Sequence, residues 1–136
     1  MTRIVLDSSF ALAWCFEDEA SPRTDAVLNQ ADQLIFAVSP LWRWEIVNVL
    51  LMSERRGRIK PEQTAEILAR LALMNIELDE GWESAPQQDL LRLSRQHKLT
   101  AYDATYLEMA LRLKLQIATL DGPLETAAKN MGVTAL

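Results

Sequence analysis

Four acids stand where a carboxylate is not ordinary filler: Asp7, Glu45, Asp103 and Asp121. Asp7 follows the apolar run of "RIVLDSSFALAW" directly, at the carboxyl end of an expected strand and ahead of a helical pattern from Phe10 to Phe16. Glu45 lies in "SPLWRWEIVNVLLM" among Leu41, Trp42, Trp44, Ile46, Val47, Val49 and Leu50. A helix apolar nearly all round is a buried helix, and a buried carboxylate needs a cation or several donors. Helical spacing puts Leu41, Glu45, Asn48 and Met52 on one stripe. Asp103 heads the stripe of Leu107, Ala110 and Leu111 in "LTAYDATYLEMALRL", with Glu108 and Arg112 as an i, i+4 pair on the opposite, solvated face. Asp121 ends the apolar run of "QIATLDGPLETAA", so two strands finish on an aspartate, and parallel pairing would bring both to one sheet edge.

Each acid also has a local explanation. Asp7 or Ser8 suits a helix cap, Thr100-x-x-Asp103 fits a capping box, and Asp121 before Gly122-Pro123 suits a turn or cap. An exposed Glu45 would simply pair with Arg43 or Arg55. If the four instead converge, their repulsion amounts to roughly a few pKa units between close pairs unless a cation neutralises it. Oxygen donors without His or Cys select a hard ion, Mg²⁺ or Mn²⁺. Such a site holds an anionic phosphate, lowers the pKa of bound water and stabilises the departing oxygen of a phosphodiester. Spacing alone leads no further than this.

The elements that must position these acids alternate. Apolar runs at 3–6, 33–39, 75–78, 116–120 and the terminal "VTAL" predict strands between helices, hence an α/β domain with a mostly parallel sheet covered on both faces. Ser39 and Pro40 begin a long helix as cap and first position, and Gly57 closes it after Arg55 and Arg56. Further helices are expected from Lys60-Pro61-Glu62 with Ile67, Leu68 and Leu71 on one face, from about Ser84 to His97, from about Ala101 to Lys114, and from Pro123. No repeat, low-complexity tract or linker divides residues 1–136, so a single domain is expected.

The bulk numbers narrow the function classes. A chain of 136 residues with 49% hydrophobic composition builds one core without staples. The single cysteine, Cys15, reads as a small buried hydrophobe, consistent with a reducing compartment. With no leader and no apolar run long enough to span a bilayer, a cytoplasmic protein without a membrane partner is expected. The one histidine, His97, rules out paired-histidine chemistry within a chain and reads as solvated or helix-terminal. No Cys/His cluster suits zinc, and neither glycine-rich phosphate loop is present. A net charge of −5 argues against a surface that grips nucleic acid by overall charge.

The chain resembles PIN-domain ribonucleases of the VapC toxin type over nearly its full length. The resemblance is carried by "VLDSSFALAW" with Asp7 and Ser9, "SPLWRWEIVNVL" with Glu45 and Asn48, "LTAYDATYLEMA" with Asp103, and "ATLDGPLETAAKNMGV" with Thr119 and Asp121. It implies a three-layer α/β/α PIN-like fold and hydrolysis of RNA phosphodiesters by metal-activated water. It implies that Asp7, Glu45, Asp103 and Asp121 ligate Mg²⁺ or Mn²⁺ directly or through water, and that Ser9, Asn48 and Thr119 support those ligands by hydrogen bonds. It also implies a homodimer and a cognate antitoxin whose tail fills a groove and blocks the acidic site.

RNA contact by an acidic protein must be local. Arg55, Arg56, Arg58 and Lys60 gather around Gly57, at the far end of the Glu45 helix, where they either meet phosphates or complement a helix C-terminus. Of the four tryptophans most should be core. Trp42 and Trp44, two positions apart, cannot share a helix face, which leaves one for a partner. Two other readings remain: a phosphatase or phosphoacceptor domain, disfavoured because Ser8 and Ser9 rather than a second aspartate follow Asp7, and a noncatalytic RNA- or antitoxin-binding module, disfavoured by retention of all four acids.

Overall fold

The structure, a computed structural model, describes residues 1–84 and 87–136, with the side chains of Trp82 and Ser84 outside the description. Its elements run β1 (Thr2–Leu6), α1 (Ser8–Ala13), α2 (Pro22–Leu28), β2 (Leu34–Val38), α3 (Pro40–Arg55), α4 (Pro61–Ala72), β3 (Ile76–Leu78), α5 (Gln87–His97), α6 (Ala101–Leu113), β4 (Ile117–Ala118) and α7 (Gly122–Asn130). All strand pairs are parallel, in the order β3-β2-β1-β4. Helices cover both faces, giving the three-layer α/β/α fold that the resemblance implied.

Burial on both faces explains the strand sequences. Ile4, Val5, Leu6, Phe36, Ala37, Val38, Ile117 and Ala118 are all buried, so these strands are continuous apolar runs rather than alternating ones. Val5 pairs with Ala37 on one side and Ile117 on the other, which fixes the register of the central three strands. Chain order steps outward from β1 through β2 to β3 and then reverses, placing β4 on the other side of β1. Ligands of open parallel sheets bind at such a reversal, beyond the carboxyl ends of the strands. Asp7 follows β1 and Asp121 follows β4 at that point.

The structure corrects several expectations. The "VTAL" strand is a single bridge between Ala135 and Ile117, because β4 runs only two residues before leaving the sheet toward α7. The helix expected from Ser84 is described from Gln87 onward; Glu80–Ser84 forms a 3-10 turn and residues 85–86 lie outside the described residues. Ser39 occupies the N-cap position of α3, but its hydroxyl makes no capping bond. Helix α3 is not buried all round: Trp42, Ile46, Leu50 and Ser53 face the core, while Trp44 (68% exposed), Val47 and Leu51 face outward. Leu68 is likewise partly exposed, unlike Ile67 and Leu71. His97 ends α5 as expected, though its Nε2 is buried without a partner rather than solvated. Among the described residues, no helix is long and apolar enough to cross a membrane.

The Glu108–Arg112 pair, at 2.8 Å, is also not on a solvated face. Arg112 reaches past it to Asp79, Nη2 to Oδ2 at 2.5 Å, and Asp79 is buried at the end of β3. Burial pushes the Asp79 carboxyl up, but hydrogen bonds from Arg112 and the Gly81 amide outweigh it and hold the group below the usual carboxylate range. A Cβ at Gly81 would lie 2.4 Å from Arg112 Nη1, so glycine lets the loop close over the guanidinium. This clasp fastens the β3–α5 connection onto α6, the helix that carries Asp103. Replacing Arg112 by Met should cost about 3 kcal/mol, at the low end for a broken buried pair because Arg112 keeps some contact with water; urea unfolding of the variant measures it.

Candidate metal centre

Asp7 is 3% exposed and occupies the N-cap position of α1, yet its side chain makes no capping bond. Ser9 Oγ donates to Asp7 Oδ2 at 2.8 Å and Thr119 Oγ1 donates to the same oxygen at 2.6 Å. Ser8 Oγ lies 3.4 Å from Oδ1. Each donor also anchors the β4–α7 turn: Ser9 Oγ accepts from the Leu120 amide at 3.1 Å, and Thr119 Oγ1 from the Asp121 amide at 3.0 Å. Two hydroxyl relays therefore tie the ends of β1 and β4 together around one carboxylate.

The other three acids are set by their helices. Thr100 caps α6 by accepting from the Asp103 amide at 3.1 Å, which starts the helix with Asp103 in its first turn. Asp121 caps α7, its Oδ2 accepting from the Leu124 amide at 2.9 Å, so the local explanation of Asp121 is realised on one of its two oxygens. Glu45, on α3, is half-buried, and the hydroxyl of the fully buried Tyr106 donates to its Oε1.

Electrostatics links all four. Burial raises the proton affinity of Glu45, its bond from Tyr106 opposes this, and the charges of Asp7 and Asp103 add to the rise. Asp103 is raised first by burial and then by Asp121, with Asp7 contributing further. Among the described residues none of the four acids has a basic partner; the ion pairs are all elsewhere. Nor do they close into a cage: no three His, Cys, Asp or Glu side chains among the described residues stand close enough to grip one ion. An uncompensated group of oxygen donors with open spacing fits Mg²⁺ or Mn²⁺, which retain much of their water and take only one or two carboxylates directly. The arrangement does not suit an all-protein calcium cage or a zinc site.

Of the residues singled out from sequence, Ser9 and Thr119 join this network, whereas Asn48 is exposed one turn beyond Glu45 with no hydrogen bond to the acids among the described residues. Arg58 is already engaged: it bridges Asp18 at 2.7 Å and Glu19 at 2.9 Å and lies over the Phe16 ring. Arg55, Arg56 and Lys60 are exposed at and just beyond the far end of α3. The Cys15 thiol is partly buried and donates to the Ala11 carbonyl, and burial pushes it up to about 11. Sequence reading missed Ser8 and Tyr106. A tyrosine three residues after Asp103 reads as core, and its hydroxyl was the only signal of more.

The comparisons with known proteins agree with the fold. A family model described as PIN domain matches residues 4–130. Ribonuclease VapC3 of Pyrobaculum aerophilum is 26% identical over 119 residues, 88% of this chain and 89% of that protein. The crystal structure of PAE2754 from the same organism superposes with a TM-score of 0.68 at 22% identity, covering 98% of this chain and 90% of its own. FitAcB from Neisseria gonorrhoeae gives 0.58 at 16% identity, covering 98% and 96%.

Two measurements follow from the geometry. Thr119→Val removes a bond to a buried carboxylate and strands the Asp121 amide, and should cost about 1.5–3 kcal/mol in chemical denaturation. Asp7→Asn keeps an acceptor for Ser9 and Thr119 while removing a buried charge, so metal-free thermal stability should hold or rise; a clear fall would mean that the charge is compensated. The raised proton affinity of Glu45 has a definite sign. A carboxyl raised on folding contributes stability that is complete below its unfolded pKa, about 4.3, and disappears as pH climbs through the folded value. In metal-free protein, Glu45→Gln should therefore gain on wild type as pH is raised from about 4 to 7. Melting curves across that range check it, and a constant difference would contradict it.

Proposed function

We propose a function from one premise: the chain belongs to the PIN domain family. It is a metal-dependent endoribonuclease, the toxin of a toxin–antitoxin pair, hydrolysing RNA phosphodiesters at the centre built by Asp7, Glu45, Asp103 and Asp121. The observation that carries this reading is the set of four carboxylates, linked by mutual repulsion and without a basic partner among the described residues, at the reversal of the sheet. A polyanionic substrate would be repelled from such a surface unless a cation intervened. The similarity to Ribonuclease VapC3 supports RNA as that substrate and a toxin's role.

These four residues would hold Mg²⁺ or Mn²⁺, directly or through water. When bound, such an ion supplies positive charge to the phosphodiester and activates water for attack. The chain's own contributions are positional. Ser9 and Thr119 lock Asp7 in one orientation through Oδ2, so Oδ1, approached among the described residues only by the Ser8 hydroxyl at 3.4 Å, is presented without a search through rotamers. Thr100 and the first turn of α6 aim Asp103, and the α7 cap fixes Asp121. Low exposure of Asp7 limits competition from bulk water.

Partners are proposed on surface character. Trp44, Val47 and Leu51 form an exposed apolar strip at helical spacing on α3. Beside it Val38, Trp42, Ile46, Leu68, Leu71 and Ile76 line a groove of about 540 Å³. Contiguous exposed apolar surface of this kind marks protein contact, and it supports both a homodimer and an antitoxin segment in this cytoplasmic protein. Arg55, Arg56 and Lys60 would add phosphate contacts, making RNA affinity fall with salt.

The test is cleavage of total RNA in Mg²⁺, in Mn²⁺ and after EDTA. Cleavage should require the ion and fall to background with Asp7→Asn, with EDTA-treated protein recovering when Mg²⁺ is restored. RNA bound but never cut under any of these conditions would favour a noncatalytic RNA-binding module on the same fold.

A further inference from the structure

We infer that Tyr106 is the positioning residue for Glu45 in the metal centre, a role that deepens the proposed function and rests on it. Tyr106 sits on α6 three residues after Asp103, on the same helical face, and is fully buried between α6 and α3. Its hydroxyl donates to Glu45 Oε1, and the Ser8 hydroxyl lies beside both groups while also facing Asp7 Oδ1. One phenol thus joins two of the helices that carry site carboxylates: α3 through Glu45, and α6 through its own backbone and Asp103.

The chemistry of the pair assigns the direction of control. Tyr106 is held by a core of closely packed side chains and has no freedom to follow its partner. Glu45 is half-buried, on a helix whose neighbouring face is open to solvent, and its carboxylate has more lone pairs than donors reaching it. The rigid donor therefore fixes the mobile acceptor. Oε1 is taken by the phenol, leaving Oε2 and the remaining lone pair of Oε1 for an ion. Without the hydroxyl the glutamate would sample rotamers, and that lost order would appear as weaker ion binding rather than as a lost ligand.

The experiment is Mn²⁺ binding to the purified full chain without RNA, followed by the electron paramagnetic resonance of free Mn²⁺, for wild type, Tyr106→Phe, Glu45→Gln and the double variant. Thermal unfolding of each in EDTA runs alongside. Tyr106→Phe removes one oxygen and keeps the ring that fills the core. Affinity should fall about tenfold, the lower bound for losing a hydrogen-bond partner of a metal ligand. In the Glu45→Gln background the same change should produce no further loss. Unchanged or tighter Mn²⁺ binding by Tyr106→Phe, whatever its melting temperature, would overturn the inference and leave a tyrosine that merely needs an acceptor. An equal additional loss in the double variant would overturn it too, since Tyr106 would then act independently of Glu45. Failure of wild type to bind Mn²⁺, with Asp7→Asn giving the same null trace, would overturn the metal centre itself; failure confined to the tyrosine comparison leaves the centre standing.

Discussion

The carboxylate of Asp7 is the constraint on which the rest of the molecule depends. A charge 3% exposed would be expelled or neutralised unless donors surrounded it, and here the donors are hydroxyls of Ser9 and Thr119 that simultaneously hold the β4–α7 turn. Because β1 and β4 are neighbours in a parallel sheet, the same bonds align the two strand ends at which the chain order reverses. The sheet positions the acid, and the acid in turn holds the two strand ends together at the reversal.

Around that centre the chain tolerates an electrostatic debt. Glu45 and Asp103 are pushed toward protonation by burial, and the pairwise repulsions connect each of them to Asp7. Elsewhere several carboxylates do have a guanidinium partner: Asp79 with Arg112, Glu77 with Arg3, Asp18 and Glu19 with Arg58. What sets the acids at the sheet reversal apart is burial together with mutual repulsion, which raises Glu45 and Asp103 where an exposed acid would be left unshifted.

Much of this was legible in the sequence. An apolar run ending abruptly in aspartate marks a strand's carboxyl end, and that pattern located Asp7 and Asp121 without help. Glu45 was legible as an oddity in an apolar helix, although the reason given was only half right, since Trp44, Val47 and Leu51 are exposed. Its convergence with Asp103 depended on the resemblance, because no periodicity relates residues 58 positions apart on different helices. Other features were hidden for physical reasons. Helix α2 is a single short amphipathic segment with only Thr24 and Val27 buried, too little for a periodic signal. The Asp79–Arg112 bond joins residues 33 apart, and Tyr106 presents an ordinary core residue whose one polar atom carries the information.

The central claim is that the four carboxylates serve one hard cation, one or two of them directly and the others through water. Anomalous diffraction from crystals soaked in Mn²⁺ tests it most directly, since manganese is located independently of any assumption about the site. The expected result is a peak within coordination distance of Asp7 and at least one of Glu45, Asp103 and Asp121, lost in Asp7→Asn crystals. Well-ordered Asp7 without a peak beside it, or manganese bound only at surface carboxylates elsewhere, would contradict it.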